Sequence, residues 1–293
     1  MSDEALIERI RTLYETPLAP EPTALAPELD PIDGVKAVLF DVYGTLLISA
    51  SGDIGLAGDA CDGRDLGQLL ASADLDAPSA DAAGLDSDGL VQAAIEAEHE
   101  RARARGADYP EVDILTIWAQ VLGTLAMQPT PGQLRRLAIE HEGRSNLVWP
   151  MPGLAETLAG LRARGLALGI VSNAQFYTPL ILETFLGQPP AGLGLDPECS
   201  AWSYQLGVAK PSQTIFRPAL EGLQRKHGIR PEQTLYVGND RRNDIWPAGQ
   251  LGLRTALFAG DNRSLRLREQ DHRLDAVTPD RIITELTQIP GLL

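Results

Sequence analysis

Cysteine is nearly absent: Cys61 and Cys199 are the only two in 293 residues. They show no metal-ligand spacing, which predicts free thiols in a reducing compartment rather than a stapled secreted domain. Aromatic side chains are also scarce at 5%, yet apolar residues make up 44%, so the chain can build an ordinary core mainly from aliphatic groups. Basic residues are outnumbered, with 25 Lys and Arg against 40 Asp and Glu and a net charge of −15. That balance argues against the basic surfaces that nucleic acid or anionic membranes require. No apolar run is long enough to span a bilayer, and the first residues, Met1-Ser2-Asp3-Glu4, lack the apolar stretch of a secretory signal. The expectation is a cytoplasmic protein whose partner is a small molecule; oligomeric state is not legible.

What the chain does have is a rhythm of strands and helices. Residues 5–15 carry Leu6, Ile7, Ile10, Leu13 and Tyr14 at helical spacing, and a proline-rich linker follows through Pro17, Pro20, Pro22, Pro27 and Pro31. A strand begins near Val35. Residues 48–90, rich in Gly, Asp, Ala and Ser, read as a loop or flap with some helix. Helical patterns follow from Leu90, over 111–125 and over 131–142, with Pro131 at a favoured first-turn position. From Pro152 helices and strands alternate through the strands ending at Ser172, Gly238 and Phe258, which predicts βαβ units and a parallel sheet.

One segment stands out. The apolar run Ala37-Val38-Leu39-Phe40 stops abruptly at Asp41, and Tyr43, Gly44 and Thr45 follow. A buried strand cannot hold an ionised carboxylate in its middle, so Asp41 belongs at the strand's open end. In parallel α/β sheets that end is where ligands bind. An Asp that merely begins a turn is the plain alternative. Three more segments end in polar groups: the run 166–171 leads into Ser172-Asn173, Lys210-Pro211 follows 201–207, and the run 234–237 leads into Gly238-Asn239-Asp240-Arg241-Arg242-Asn243-Asp244.

An Asp at a strand end, then Ser, then Lys, then an Asp-x-x-Asn-Asp cluster, in that order, resembles the haloacid dehalogenase superfamily, whose members are mostly phosphatases with an Asp nucleophile. The resemblance covers residues 34–47 and about 149–260. It implies an α/β fold with a Rossmann-like parallel core at 34–47 and 147–293 and a mainly helical cap at 48–146, beside the N-terminal helix and linker that the periodicity and prolines place at 1–33. Asp41 is then the nucleophile, and Lys210 a compact positive charge for nucleophile and phosphate. Thr45, Ser172 and Asn173 supply donors to the transferring group, although Ser172-Asn173 also reads as a helix N-cap and turn. Asp240 and Asp244, joined by Asp41 and the backbone carbonyl of Tyr43, form a hard oxygen set for Mg²⁺, with Asn239 as a weaker alternative ligand. The plain reading of the two acids is a helix N-terminus.

The chain departs from the phosphatase pattern at one position. Phosphatases of the superfamily carry a second Asp two residues after the nucleophile, and here that position is Tyr43. Asp-x-Tyr is the pattern of the superfamily's metal-independent 2-haloacid dehalogenases, whereas the acidic final motif fits a magnesium enzyme. The favoured expectation is a Mg²⁺-dependent hydrolase of a small phosphorylated metabolite, with Asp53, Glu96 or His99 replacing the missing acid. The alternatives are the dehalogenase and a weakly active phospho-ligand-binding relative. Arg263, Arg266 and Arg268, after the last strand, read as a solvated face.

Overall fold

A computed structural model of the chain describes residues 2–51 and 65–293. Helix α1 (Asp3–Leu13) is capped by Ser2, whose hydroxyl accepts from the Ala5 N–H, and it buries Leu6 and Ile10. Strand β1 (Ala37–Phe40) is buried at every position. Strands β2 (Leu47–Ser49) and β3 (Val148–Pro150) pair antiparallel and form a neck. Between them lie the described helices of the insert: α2 (Leu66–Ser72), α3 (Ala80–Ala83), α4 (Ser87–Ala104), α5 (Ile114–Thr124) and α6 (Pro131–Ser145). The rest of the chain alternates: α7 (Leu154–Ala163), β4 (Ala167–Ser172), α8 (Thr178–Leu186), β5 (Ala201–Trp202), α9 (Ser203–Leu206), α10 (Arg217–His227), β6 (Thr234–Gly238), α11 (Trp246–Gln250), β7 (Arg254–Phe258) and β8 (Arg281–Ile283).

The sheet has six strands in the order β5-β4-β1-β6-β7-β8, and every neighbouring pair is parallel. The α/β class read from the sequence is the observed one. The chain leaves β1 for β4 and β5 on one side, then crosses to β6, β7 and β8 on the other. The crevice at the carboxyl ends of β1, β4 and β6 is therefore the switch point where a parallel sheet offers a ligand site. Alternation along β1 sends Val38 and Phe40 into the larger core shared with the insert, while Ala37 and Leu39 face Ile215, Phe216, Ala219 and Leu223 on the other side.

The insert's apparent loop composition has a local cause. Asp65, Ser79, Asp86 and Asp113 are N-caps whose side chains accept from the first turns of α2, α3, α4 and α5, and Thr130 forms a capping box with Gln133 on α6. Several of the Asp and Ser residues in 65–90 thus start helices. Residues 17–33, read as a linker, run against the core instead: Thr23 donates to the Ala259 carbonyl, Glu28 N–H to Ile282 and Ile32 N–H to Leu292.

The insert meets the core through buried polar groups. Gln175, after β4, donates to Val112 O at 2.9 Å and accepts from Ile114 N at 2.9 Å. Glu142 of α6 accepts from the Tyr177 hydroxyl at 2.7 Å and from the Asn146 amide at 3.1 Å. Burial holds the Glu142 carboxyl above its ordinary pKa, and these two donors offset that only in part.

Two outcomes follow from this packing. Gly169 of β4 sits so close to the strap before β5 that a Cβ would overlap the Cys199 carbonyl. Gly169→Ala is expected to cost about 2–3 kcal/mol in denaturant unfolding. Glu142 binds a proton more tightly when folded than unfolded. Its contribution is therefore greatest near and below the ordinary carboxyl pKa of about 4.5 and falls as pH rises through the folded value. Glu142→Gln is expected to flatten the decline of Tm on the alkaline side of pH 4.5, and a Tm profile with the wild-type slope would contradict this.

Candidate active site

Lys210 is the centre of the switch-point crevice. It is 5% exposed, and its ammonium lies 2.7 Å from Asp41 Oδ1, 2.5 Å from Asp244 Oδ1 and 3.2 Å from the Tyr236 hydroxyl. An ammonium has three protons, so these three acceptors use its donor capacity. The Tyr236 hydroxyl lies 2.7 Å from the Val171 carbonyl of β4. Spending its single proton there leaves an oxygen lone pair for Lys210. Burial and then the Asp244 and Asp41 carboxylates push the Tyr236 pKa well above 10, which keeps it a phenol. Burial alone would push Lys210 down, but Asp244 and Asp41 outweigh it and the direction is up. The lysine is therefore an ammonium.

Each member sits where its strand delivers it. Asp41 follows the last residue of β1, and its N–H continues the ladder to Val237 O at 2.9 Å. Tyr236 belongs to β6, and Asp244 closes the turn beyond it. The Lys210–Pro211 peptide is cis. Asn173 holds Lys210 by its backbone: its Oδ1 accepts from Lys210 N at 2.8 Å and its Nδ2 donates to Lys210 O at 3.4 Å. Expected as a donor to the transferring group, Asn173 here clamps the lysine loop. The Thr45 and Ser172 hydroxyls are buried in the same region. Thr45 donates to Asn239 Oδ1 at 3.1 Å, and Ser172 donates to the Asn173 carbonyl at 3.2 Å.

Tyr43 turns its side chain away from acid–base work. Its hydroxyl pairs with Thr178 at 2.9 Å, and burial, then the nearby Glu142, push its pKa well above 10. Its side chain is thus engaged away from the crevice.

Asp240 departs from expectation. Its Oδ1 accepts from the N–H groups of Arg242 and Asn243, and its Oδ2 lies 2.6 Å from Arg268 Nη2 and 3.0 Å from Asn243 Nδ2. The turn Arg241–Ile245 is a π-helical turn that Asp240 caps. Asp244 Oδ2 instead accepts the Asp240 N–H at 2.9 Å. Arg268, read as part of a solvated face, is the cation that takes up Asp240. Asn239 is tied between Thr45 and the Ser264 carbonyl.

The charge of the crevice bears on a divalent cation. Three buried carboxylates, Asp41, Asp240 and Asp244, face two cations, Lys210 and Arg268. Burial, opposed by Lys210 and reinforced by Asp41 and Asp240, raises Asp244 to about 7. Such a surplus of negative charge suits a hard cation on oxygen ligands. Asp41, the Tyr43 carbonyl and Asp244 fit that role, whereas Asp240 is committed to Arg268. Among the described residues, the group of three side chains with potential ligand atoms within 4.8 Å of one another lies elsewhere, at Asp196, Cys199 and His227. There Lys226 already approaches Asp196 at 2.6 Å, and burial pushes the Cys199 thiol up to about 11.

A cavity of about 350 Å³ lies beside this centre, between α4 and α6 of the insert and the loop carrying Asn173, Gln175 and Tyr177. Glu96 and His99, two of the proposed proton donors, line it. Asp53, the third, lies outside the described residues. Sequence reasoning missed Tyr236, which looks like an ordinary core aromatic, and Gln175, whose signal is only its nearness to Ser172.

The chain's similarities agree with this geometry. The model of the haloacid dehalogenase-like hydrolases matches residues 35–252. Glyceraldehyde 3-phosphate phosphatase of Methanopyrus kandleri is 26% identical over 248 residues, covering 84% of this chain and 91% of that protein. The Methanothermobacter thermautotrophicus enzyme of the same name is 27% identical over 153 residues, 52% of this chain and 62% of that one. Phosphoglycolate phosphatase 1 of Pseudomonas aeruginosa is 31% identical over 122 residues, 41% of this chain and 40% of that one. The chain thus spans less than two thirds of the latter two relatives. A 2-haloacid dehalogenase structure from Pseudomonas syringae pv. Tomato superposes with a TM-score of 0.54 at 19% identity, covering 88% of this chain and 97% of that one, a likeness of fold. With a family model matching most of its length and its switch-point crevice built around Asp41, the chain belongs to the haloacid dehalogenase-like hydrolases.

Proposed function

We propose that the protein is a Mg²⁺-dependent phosphomonoesterase acting on a small phosphorylated metabolite. The observation that carries this reading is the buried surplus of carboxylate around Lys210, which a dehalogenation centre working without metal does not need. The phosphatase names of the relatives support it. Asp41 attacks phosphorus, the bond from phosphorus to the ester oxygen breaks, and the departing oxygen takes a proton. Water then attacks phosphorus of the aspartyl phosphate, releases inorganic phosphate and restores the carboxylate. Lys210 fixes Asp41 and offsets charge on the transferring group. Asp41, the Tyr43 carbonyl and Asp244 would hold Mg²⁺, which would supply further positive charge to offset that of the phosphate. The insert acts as a cap that excludes water. Tyr43 is sealed against Thr178, so the leaving-group proton comes from the cap, where Glu96 and His99 line the cavity.

Tyr43 and the amide at Asn239 favour a second reading, hydrolysis of a 2-haloacid, in which halide leaves without a proton. Chloride release from a 2-chloro acid in the presence of a chelator would establish it.

Turnover of an aryl phosphate is expected to need Mg²⁺, to stop on chelation and to fall by more than about a thousandfold in Asp41→Asn. Activity that survives either change sinks the proposal. Lys210→Met strands two buried carboxylates and is expected to abolish turnover and cost about 3–5 kcal/mol in unfolding. Asn173→Ala, which frees only the lysine's backbone, is expected to lower kcat about tenfold with KM little changed. A change in KM alone would instead assign Asn173 to substrate binding.

A further inference from the structure

The N-terminal helix takes no part in the active site, and it lies outside the stretch 35–252 that the family model matches. Its linker is fastened to the core. Glu21 N–H donates to Asp261 Oδ1 at 3.0 Å and the Thr23 hydroxyl to the Ala259 carbonyl at 2.8 Å. Further along, Glu28 N–H donates to Ile282 O at 2.8 Å and Ile32 N–H to Leu292 O at 2.7 Å. Helix α1 itself packs on the core helix α8, where the Tyr14 and Phe185 rings lie 6.1 Å apart between centroids. Anchored at both places, α1 belongs to the core.

Its other side grips α6 of the insert. Arg9 donates twice to Glu140, Nε to Oε1 at 2.5 Å and Nη2 to Oε2 at 2.8 Å. Such a fork fixes direction as well as distance. Glu140 is wholly buried, while Arg9 is 31% exposed. Arg136, on the same helix as Glu140, comes only to 3.7 Å, so the close counter-charge arrives from α1. Asp3 also pairs with Arg135 of α6 at 2.7 Å. The two helices approach closely at Gly143, where a Cβ would lie 2.9 Å from Leu13 Cδ1 and 3.2 Å from Leu13 Cβ. Backbone hydrogen bonds and an aromatic contact thus hold the core side of α1, and partly exposed ion pairs hold the insert side. The insert side is the one that water can enter.

We propose that α1 is a clasp that is held by the core and keeps the insert shut over the crevice, with Arg9 as its positioning residue. The inference rests on reading the insert as the cap of a phosphatase and adds what holds that cap closed. Closing takes Glu140 out of water, and only a well-placed guanidinium compensates it, so the closed state depends on Arg9. Substrate entry and product release then require the Arg9–Glu140 pair and the Leu13–Gly143 contact to part.

Hydrogen exchange in the full-length protein reads the clasp without turnover. Three amides bridge insert and core: Glu111 N–H to Gly207 O at 3.1 Å, Ala209 N–H to Tyr109 O at 2.8 Å and Ile114 N–H to Gln175 Oε1 at 2.9 Å. In Arg9→Met they are expected to exchange about tenfold faster or more, the scale of one charge-assisted hydrogen bond, while Asp41 N–H inside the sheet ladder keeps its rate. Arg9→Lys keeps the charge without the fork and is expected to fall between. In aryl phosphate turnover with Mg²⁺, Arg9→Met is expected to raise KM without lowering kcat. A second variant, Leu13→Cys/Gly143→Cys, sets two thiols at a Cβ separation of 3.2 Å, close to the ~3.5–4.5 Å that a disulfide spans. Its oxidised form is expected to lose kcat by about tenfold or more and to regain it with reductant. Wild type under the same oxidant controls for Cys61 and Cys199. Unchanged exchange at the three bridging amides in Arg9→Met, or equal acceleration at Asp41, overturns the inference. Full turnover by the oxidised double variant overturns it as well. Absence of aryl phosphate turnover in the wild type overturns the phosphatase reading instead, and the exchange rates then decide the clasp.

Discussion

A buried ammonium with three acceptors is the constraint on which the rest of the site depends. Removing a lysine from water costs several kcal/mol, and only close carboxylates with good geometry return it. Asp41 and Asp244 do so, and Tyr236 accepts the remaining proton. The consequence reaches beyond charge. Asp41 comes from β1, Asp244 follows β6, and Lys210 lies in the loop after α9. The same ammonium therefore joins three segments that are distant in the chain.

Holding that ammonium in place needs a frame, and the frame is mostly backbone. The Asn173 amide grips both polar backbone groups of Lys210. The Tyr236 hydroxyl ties β6 to the last turn of the β4 ladder at Val171. Because β1 lies between β4 and β6, a small slip in any of the three strands would misplace Asp41 relative to the lysine. Parallel strands buried on both faces resist such slips, since a slip would turn apolar side chains out of register with both cores.

The second constraint is electrostatic. Arg268 removes Asp240 from the centre, leaving Asp41 and Asp244 to share Lys210. Asp88, Glu96, Glu111 and Glu142 line the cavity beside this centre, Asp88 next to His141. The chain as a whole carries a net charge of −15. Attraction in this region must come from local charges, because the overall field repels a phosphate.

Much of this was legible in the residues. The run ending at Asp41, the alternation after Pro152 and the four ordered motifs imply a parallel sheet with Asp41, Ser172 and Lys210 at one rim, because strand patterns state where an apolar run meets polar chain. Proline 131 and the helical periods of 111–125 and 131–142 likewise foretell α5 and α6. Less legible was the role of the Asp and Ser residues in 65–90, since a capping residue has the composition of a loop. The choice between the two acids of the final motif was not legible at all. Asp240 and Asp244 look alike in sequence, and spacing assumes a regular helix where a π-helical turn occurs. Chain pattern alone determined the fold class and the places of Asp41 and Lys210 at the strand ends. Only tertiary structure decided that Asp244 meets Lys210 while Asp240 meets Arg268, because a side chain's counter-charge arrives from distant chain that local periodicity does not encode.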